Sequence, residues 1–136
     1  MKQLFIPGGD ITPEILFNPD SWQLAIRGRS APENAREIYL PAVEWLNSLL
    51  NKVLSGHNIP DQISPTLTVS LDYFNSTSAK FIYDIFMLLG KLQKHIKEVS
   101  VIWVFDPDDI DMKEAGEELA SMAGLSLELK EKGEHS

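Results

Sequence analysis

The stretch "TLTVSLDYFNSTSAKFIYDIF", residues 66–86, decides the fold, because its hydrophobic period changes in the middle. Before Asn75 every second residue is apolar, which is typical of a half-buried strand. This apolar set is Leu67, Val69, Leu71 and Tyr73. After Asn75 the apolar residues recur at helical spacing on one stripe, at Ile82, Ile85, Phe86, Leu89, Leu92 and Ile96. We therefore predict a strand that ends near Phe74 and a helix that extends to about Ile96.

A second strand and helix follow this pair. The run "VSVIWVF", residues 99–105, is apolar throughout, which predicts an interior strand covered on both faces. The segment "DPDDID" then turns the chain into the helix "DMKEAGEELASMAG", which Gly124 ends. The segment "LSLEL", residues 125–129, predicts a last short strand.

Strands also precede the opening stretch. The segment "QLFIPG" predicts a short edge strand or an extended arm, and "TPEILFN" a second extended segment. The segment "SWQLAIRG" alternates apolar and polar residues and predicts a half-buried strand that Gly28 ends. A helix capped by Ser30 or Asn34 should follow and extend to about Leu54.

This order of elements predicts a single α/β domain over residues 1–129, with a mixed sheet and crossover helices. Residues 130–136, "KEKGEHS", are predicted to form a flexible acidic C-terminal tail.

Composition excludes several classes of function. The net charge of -8 argues against nucleic acid and anionic membranes as partners, because both need a basic surface. The chain has no cysteine, no apolar run of membrane-spanning length and no signal-peptide segment at its N-terminus. We therefore expect a cytoplasmic protein.

No pattern predicts a metal, a cofactor or a catalytic site. His57, His95 and His135 are scattered and lack the spacing of metal ligands. The aspartates of "DPDDID" lack the glycine and the distal glutamate of a calcium loop, so we interpret them as an acidic helix start or an acidic recognition surface.

The hydroxyls of Ser76, Thr77 and Ser78 follow Asn75 directly. Asn75 or Ser76 is expected to cap the helix, which leaves further hydroxyls in its first turn. A phosphate on Ser76 or Thr77 would lie at the positive end of the helix, and Lys80 is close enough on the same face to meet it. The simpler alternative is that these residues only cap the helix.

Three stretches resemble the SiaC-type family of bacterial regulatory phosphoproteins. They are "SAPENAREIY", "LDYFNSTSAKFIYDI" and "VSVIWVFDPDDIDMKEAGEELA", and the similarity covers nearly the whole chain. The resemblance implies a STAS-like fold and a non-enzymatic switch, which a protein kinase phosphorylates and a PP2C-type phosphatase dephosphorylates. It also implies that the unphosphorylated form binds and activates a diguanylate cyclase, which raises cyclic di-GMP and favours biofilm growth.

The resemblance also assigns site residues. It implies that the phosphoacceptor is Ser76, where the family often has threonine, with Thr77 as the alternative. The residues that frame this site would be Asn75, Thr77, Ser78 and Lys80. Two motifs match further positions as candidate partner contacts, which are Glu33, Asn34, Asp106, Asp109 and Asp111.

Two other functions compete with this interpretation. A STAS-type anti-sigma-factor antagonist would use the same switch with a different partner. A small enzyme would need a base beside a hydroxyl, and no motif places one there.

Overall fold

Within residues 1–56 and 62–133, which the computed structural model describes, six strands form one sheet and three helices connect the parallel strands. The strands are β1 (Leu4–Ile6), β2 (Glu14–Asn18), β3 (Gln23–Ser30), β4 (Thr66–Phe74), β5 (Ser100–Phe105) and β6 (Glu128–Glu131). The helices are α1 (Ala35–Ser55), α2 (Ser76–Leu92) and α3 (Ile110–Ala123).

The sheet keeps the strands in chain order, from β1 at one edge to β6 at the other. The first three strands pair antiparallel, as strands joined by short turns can. From β3 to β6 every pair is parallel, and each connection passes through a helix. The predicted α/β domain with a mixed sheet and crossover helices is therefore confirmed.

The core lies on one face of this sheet. The paired residues Ile26, Val69 and Trp103 form one fully buried row across the three central strands. The helices cover this face, since Phe86 of α2 packs edge-on against Trp103 with ring centroids 6.1 Å apart.

The opposite face is less covered than the sequence predicted. The interior position of β5, between β4 and β6, is confirmed. However, Ile102 and Val104 on its second face are only half-buried, so the prediction of cover on both faces was wrong. The physical reason is that right-handed crossovers advancing in one direction along a sheet place all their helices on the same side.

A bulge near the end of β4 overturns two further predictions. Strand β3 does not end at Gly28 but continues to Ser30, and Gly28 adopts a positive φ of 101°. Gly28 pairs with Leu71, whereas Arg29 pairs with Tyr73, so Asp72 is the extra residue of the bulge. Tyr73 was predicted on the buried stripe, but the extra residue turns it toward solvent, where it is 43% exposed. Phe74 faces the core instead, with its ring centroid 6.0 Å from that of Trp103.

The ends of the other elements agree with the sequence to within a few residues. Helix α1 is capped by Asn34 and α3 ends at Gly124, but α2 ends at Leu92, four residues before the predicted end. Ile96 still packs on the core, from the turns that follow α2. In the described part of the chain, none of the helices is long and apolar enough to cross a membrane.

The boundary of the C-terminal tail also differs from the prediction. Strand β6 extends to Glu131, two residues into the segment predicted as a tail. The segment is not acidic overall, because Lys130 and Lys132 balance Glu131 and Glu134. Residues 134–136 lie outside the described residues, as do residues 57–61 between α1 and β4.

Candidate functional site

The candidate site residues meet at one edge of the sheet. The carboxyl ends of parallel strands share an edge, so α1, α2 and α3 all begin there. Each helix has a polar N-cap, and these caps are Asn34, Asn75 and Asp109. Ligands of open α/β sheets commonly bind at this edge.

Asn75 forms the centre of the corner between β4 and α2. Its Oδ1 accepts hydrogen bonds from the Ser78 backbone N–H at 2.9 Å and from the Thr77 hydroxyl at 3.1 Å. Its Nδ2 donates to the carbonyl of Pro32 at 3.3 Å, and its backbone N–H donates to the carbonyl of Ser30 at 2.9 Å. The cap is therefore Asn75, not Ser76, and it joins α2 to the connection between β3 and α1.

The three hydroxyls of this corner have three different environments. Ser76 is exposed, and its hydroxyl has no hydrogen-bond partner among the residues that the structure describes. Thr77 is also exposed, but its hydroxyl donates to Asn75. Ser78 is fully buried. Ser76 is therefore the hydroxyl that is both accessible and unbound.

Ser78 belongs to a buried chain of hydroxyl groups that sequence reasoning missed. The Ser78 hydroxyl donates to the carbonyl of Ser30 at 3.2 Å and accepts from the Ser30 hydroxyl at 2.7 Å. The Tyr39 hydroxyl lies 2.6 Å from that of Ser30, and it must be the donor because the Ser30 hydrogen is directed to Ser78. Burial raises the pKa of Tyr39 to about 12, against the opposing effect of the nearby Ser30 and Ser78 hydroxyls.

Two features set the charge around this corner: the first turn of α2 and the position of Lys80. The first turn of α2 contains no acidic residue, so no side chain of that turn offsets the positive end of the helix dipole. Lys80 was predicted to be close enough to meet a phosphate on Ser76. In the unmodified protein its Nζ lies 3.3 Å from Asp84 Oδ2, in the opposite direction along the helix. It also lies 4.6 Å from the ring centroid of Phe81.

The acidic stretch forms the neighbouring corner, between β5 and α3. Asp109 caps α3 by accepting from the Met112 N–H at 3.0 Å, and Asp106 Oδ1 accepts from the Asp108 N–H at 3.0 Å. With Asp72 and Lys132, these aspartates line an open cavity of about 420 Å³. Within residues 1–56 and 62–133, no group of three or more histidines and carboxylates could hold a metal ion.

The remaining candidate contacts lie at the same edge. Glu33 is exposed, and the Asn34 side chain accepts from the Glu37 N–H at 3.3 Å, so it acts as a cap. Asp111 is exposed in the first turn of α3. The fold therefore brings the three stretches that resemble the SiaC-type family to one surface. His57 and His135 lie outside the described residues.

Comparison with known proteins identifies relatives of this chain. A family model described as the SiaC family regulatory phosphoprotein matches residues 6–132. An uncharacterised protein of Pseudomonas aeruginosa strain UCBPP-PA14 is 30% identical over 118 residues, which are 87% of each chain.

Solved structures extend this likeness to the fold. The crystal structure of apo-SiaC from Pseudomonas aeruginosa matches with a TM-score of 0.79 at 27% identity, over 98% of this chain and 100% of that one. A second match is the crystal structure of the diguanylate cyclase SiaD in complex with its activator SiaC from the same species. It has a TM-score of 0.81 at 26% identity, over 94% of this chain and 98% of that one.

Proposed function

The chain belongs to the SiaC family of regulatory phosphoproteins, and we propose that it is a non-enzymatic switch controlled by reversible phosphorylation of Ser76. In this proposal a protein kinase adds the phosphate and a PP2C-type phosphatase removes it. The unphosphorylated form binds and activates a diguanylate cyclase, which raises cyclic di-GMP and favours biofilm growth. The protein acts in the cytoplasm, where the nucleotide substrates of a kinase and a cyclase are found.

The observation that carries the proposal is the unbound, exposed hydroxyl of Ser76 at the start of α2. A phosphate there lies beside the unpaired backbone N–H groups of the first turn and at the positive end of the helix dipole. No carboxylate in that turn repels it. The folded domain can therefore accept the added charge without unfolding, which a reversible switch requires.

The cyclase is proposed as the partner because a similar chain is known as the activator of one. The solved relative SiaC was crystallised with the diguanylate cyclase SiaD, and the likeness to that SiaC covers most of both chains. This likeness favours a cyclase over an anti-sigma factor as the partner. Candidate contact residues at the same edge are Glu33, Asn34, Asp106, Asp109 and Asp111.

Switching follows from the cost of burying charge. A partner that binds the neutral hydroxyl surface has no cation prepared for a phosphate, and a desolvated charge without a partner is costly. In the unmodified protein the Lys80 Nζ is paired with Asp84 and is not held beside Ser76. Phosphorylation should therefore release the partner.

A coupled assay tests the proposal. The purified cyclase is incubated with GTP and with wild type, Ser76→Ala or Ser76→Asp, in the presence or absence of the cognate kinase and ATP, and cyclic di-GMP is measured. We expect the kinase to silence the wild type but not Ser76→Ala, and we expect Ser76→Asp to activate weakly. Equal silencing of wild type and Ser76→Ala by the kinase would reject Ser76 as the switch residue.

A further inference from the structure

The first turn of α2 offers three hydroxyls to a kinase, and a reliable switch needs only one of them to react. We infer that Asn75 is the residue that restricts phosphorylation to Ser76, because it holds the hydroxyl of Thr77 while Ser78 is buried. The inference rests on the proposed function and adds a specificity-determining residue to it.

The chemistry of phosphoryl transfer to Ser76 sets the requirements that an acceptor hydroxyl must meet. The Ser76 Oγ attacks the γ-phosphorus of ATP, so that an O–P bond forms and the bond from that phosphorus to the β–γ bridging oxygen breaks. ADP leaves, and the hydroxyl proton passes to a base of the kinase. The acceptor hydroxyl must therefore be accessible and free to turn its proton toward that base.

Thr77 fails the second requirement. Its hydroxyl proton is directed to Asn75 Oδ1 at 3.1 Å, so this hydrogen bond must break before the hydroxyl can react. The Asn75 side chain cannot rotate together with the Thr77 hydroxyl without losing its other hydrogen bonds. Its Oδ1 also accepts from the Ser78 N–H at 2.9 Å, and its Nδ2 donates to Pro32 at 3.3 Å.

Ser78 fails both requirements. Its side chain is fully buried, and its hydroxyl donates to the Ser30 carbonyl and accepts from the Ser30 hydroxyl. A kinase would have to open the first turn of α2 to reach it. Ser76, whose hydroxyl is exposed and unbound among the described residues, meets both requirements without rearrangement.

The readout is the ratio of phosphate on Thr77 to phosphate on Ser76. The purified full chain is incubated with the cognate kinase and ATP to low conversion, and tandem mass spectrometry locates the phosphate. Asn75→Ala removes the acceptor of the Thr77 hydroxyl, and Asn75→Gly does the same with a residue that is tolerated at an N-cap. Asn75→Asp keeps a side-chain oxygen that can accept from both Thr77 and Ser78.

A matched control separates this effect from a general loss of stability. Asn34→Ala also removes an asparagine N-cap, but from α1, where the side chain accepts from Glu37 and holds no hydroxyl. Whatever its effect on the rate, Asn34→Ala should leave the ratio as in wild type.

We expect Asn75→Ala and Asn75→Gly to raise the ratio about two- to tenfold, the range that one neutral hydrogen bond contributes. Asn75→Asp should keep the wild-type ratio. An unchanged ratio in both Asn75→Ala and Asn75→Gly, or an equal rise in Asn75→Asp, would overturn the inference while the proposed function stands. Wild type without phosphate on any of the three hydroxyls would overturn the proposed function as well.

Discussion

The corner between β4 and α2 and the corner between β5 and α3 share one geometry but differ in charge. Each places an N-cap at the same edge of the sheet, and each cap accepts a hydrogen bond from the third residue after it, at 2.9 Å from Ser78 and 3.0 Å from Met112. The α3 corner has acidic residues at its cap and in its first turn, whereas the first turn of α2 has only hydroxyls. Of these two corners, the α2 corner is therefore the better suited to gain negative charge.

The two corners also differ in how they are fixed to the core. The buried hydroxyl chain of Tyr39, Ser30 and Ser78 holds the start of α2. The start of α3 is held by the indole of Trp103, whose Nε1 donates to the Met112 carbonyl at 2.9 Å. A network of buried hydroxyls therefore fixes the α2 corner, whereas a single buried indole, through its ring and its N–H, fixes the α3 corner.

The largest expected effect concerns the packing of α3. A Cβ at Gly116 would overlap the indole ring of Trp103, which is fully buried and cannot move aside. Gly116→Ala should therefore lower the free energy of unfolding by about 3 kcal/mol, the upper end of what overpacking usually costs, although the same change usually stabilises a helix interior. Urea denaturation measures this, with exposed Glu117→Ala as the control. A stabilised Gly116→Ala variant would show that packing on Trp103 does not fix the α3 corner.

Alkaline pH should weaken the α2 corner. The pKa of Tyr39 is raised from 10.0 to about 12 by burial, so the folded state favours the neutral phenol. This contribution of Tyr39 to the free energy of unfolding is complete below pH 10 and is lost as pH rises toward 12, because the unfolded chain releases the phenol proton first. Wild type should lose about 2–3 kcal/mol more than Tyr39→Phe across this range.

The control for this pH effect is Tyr83→Phe, a substitution on α2 that retains Tyr39. Its stability should follow the wild-type alkaline profile. Parallel profiles for wild type and Tyr39→Phe would contradict the assignment.

Breaking the buried hydroxyl chain at Ser30, its central member, should lower stability moderately. Ser30→Ala removes the acceptor of the buried Tyr39 hydroxyl and one partner of Ser78. We expect a loss of about 1–3 kcal/mol, the cost of leaving a buried polar group unpaired. Thermal and urea unfolding would measure it against exposed Ser48→Ala, which should change stability by less than about 0.5 kcal/mol. A Ser30→Ala variant as stable as that control would mean that the buried hydroxyl chain does not hold α2.

The smallest effect on stability is expected at Ser76, the proposed phosphoacceptor. Ser76 follows the cap and its hydroxyl has no partner among the described residues, so Ser76→Ala should change stability by less than about 0.5 kcal/mol. Asp109→Ala removes a cap and should cost about 1 kcal/mol. Denaturation of both variants compares the corners directly, and an equal cost would mean that Ser76 has a structural role after all.

The periodic elements of the fold could be predicted from the sequence, because strand and helix periods depend on neighbouring residues. The bulge at Asp72 could not, since Gly28 resembles a strand end and the register depends on pairing between distant strands. The link between Ser30 and Ser78 was equally hidden, because 48 residues separate them.

Lys80 shows a different limit of sequence reasoning. It is four residues from both Ser76 and Asp84, so spacing alone allows either contact. A carboxylate attracts an ammonium group more strongly than a hydroxyl does, and the structure pairs Lys80 with Asp84. The sequence predicted either Asn75 or Ser76 as the N-cap of α2. The choice between them required the positions of both side chains.

The most direct test of the account is calorimetric titration of the cyclase with unmodified protein and with protein phosphorylated on Ser76. We expect phosphorylation to weaken binding by several kcal/mol, on the order of a hundredfold or more in Kd, because the phosphate would enter the interface without a matching cation. Equal affinities of the two forms for the cyclase would contradict it.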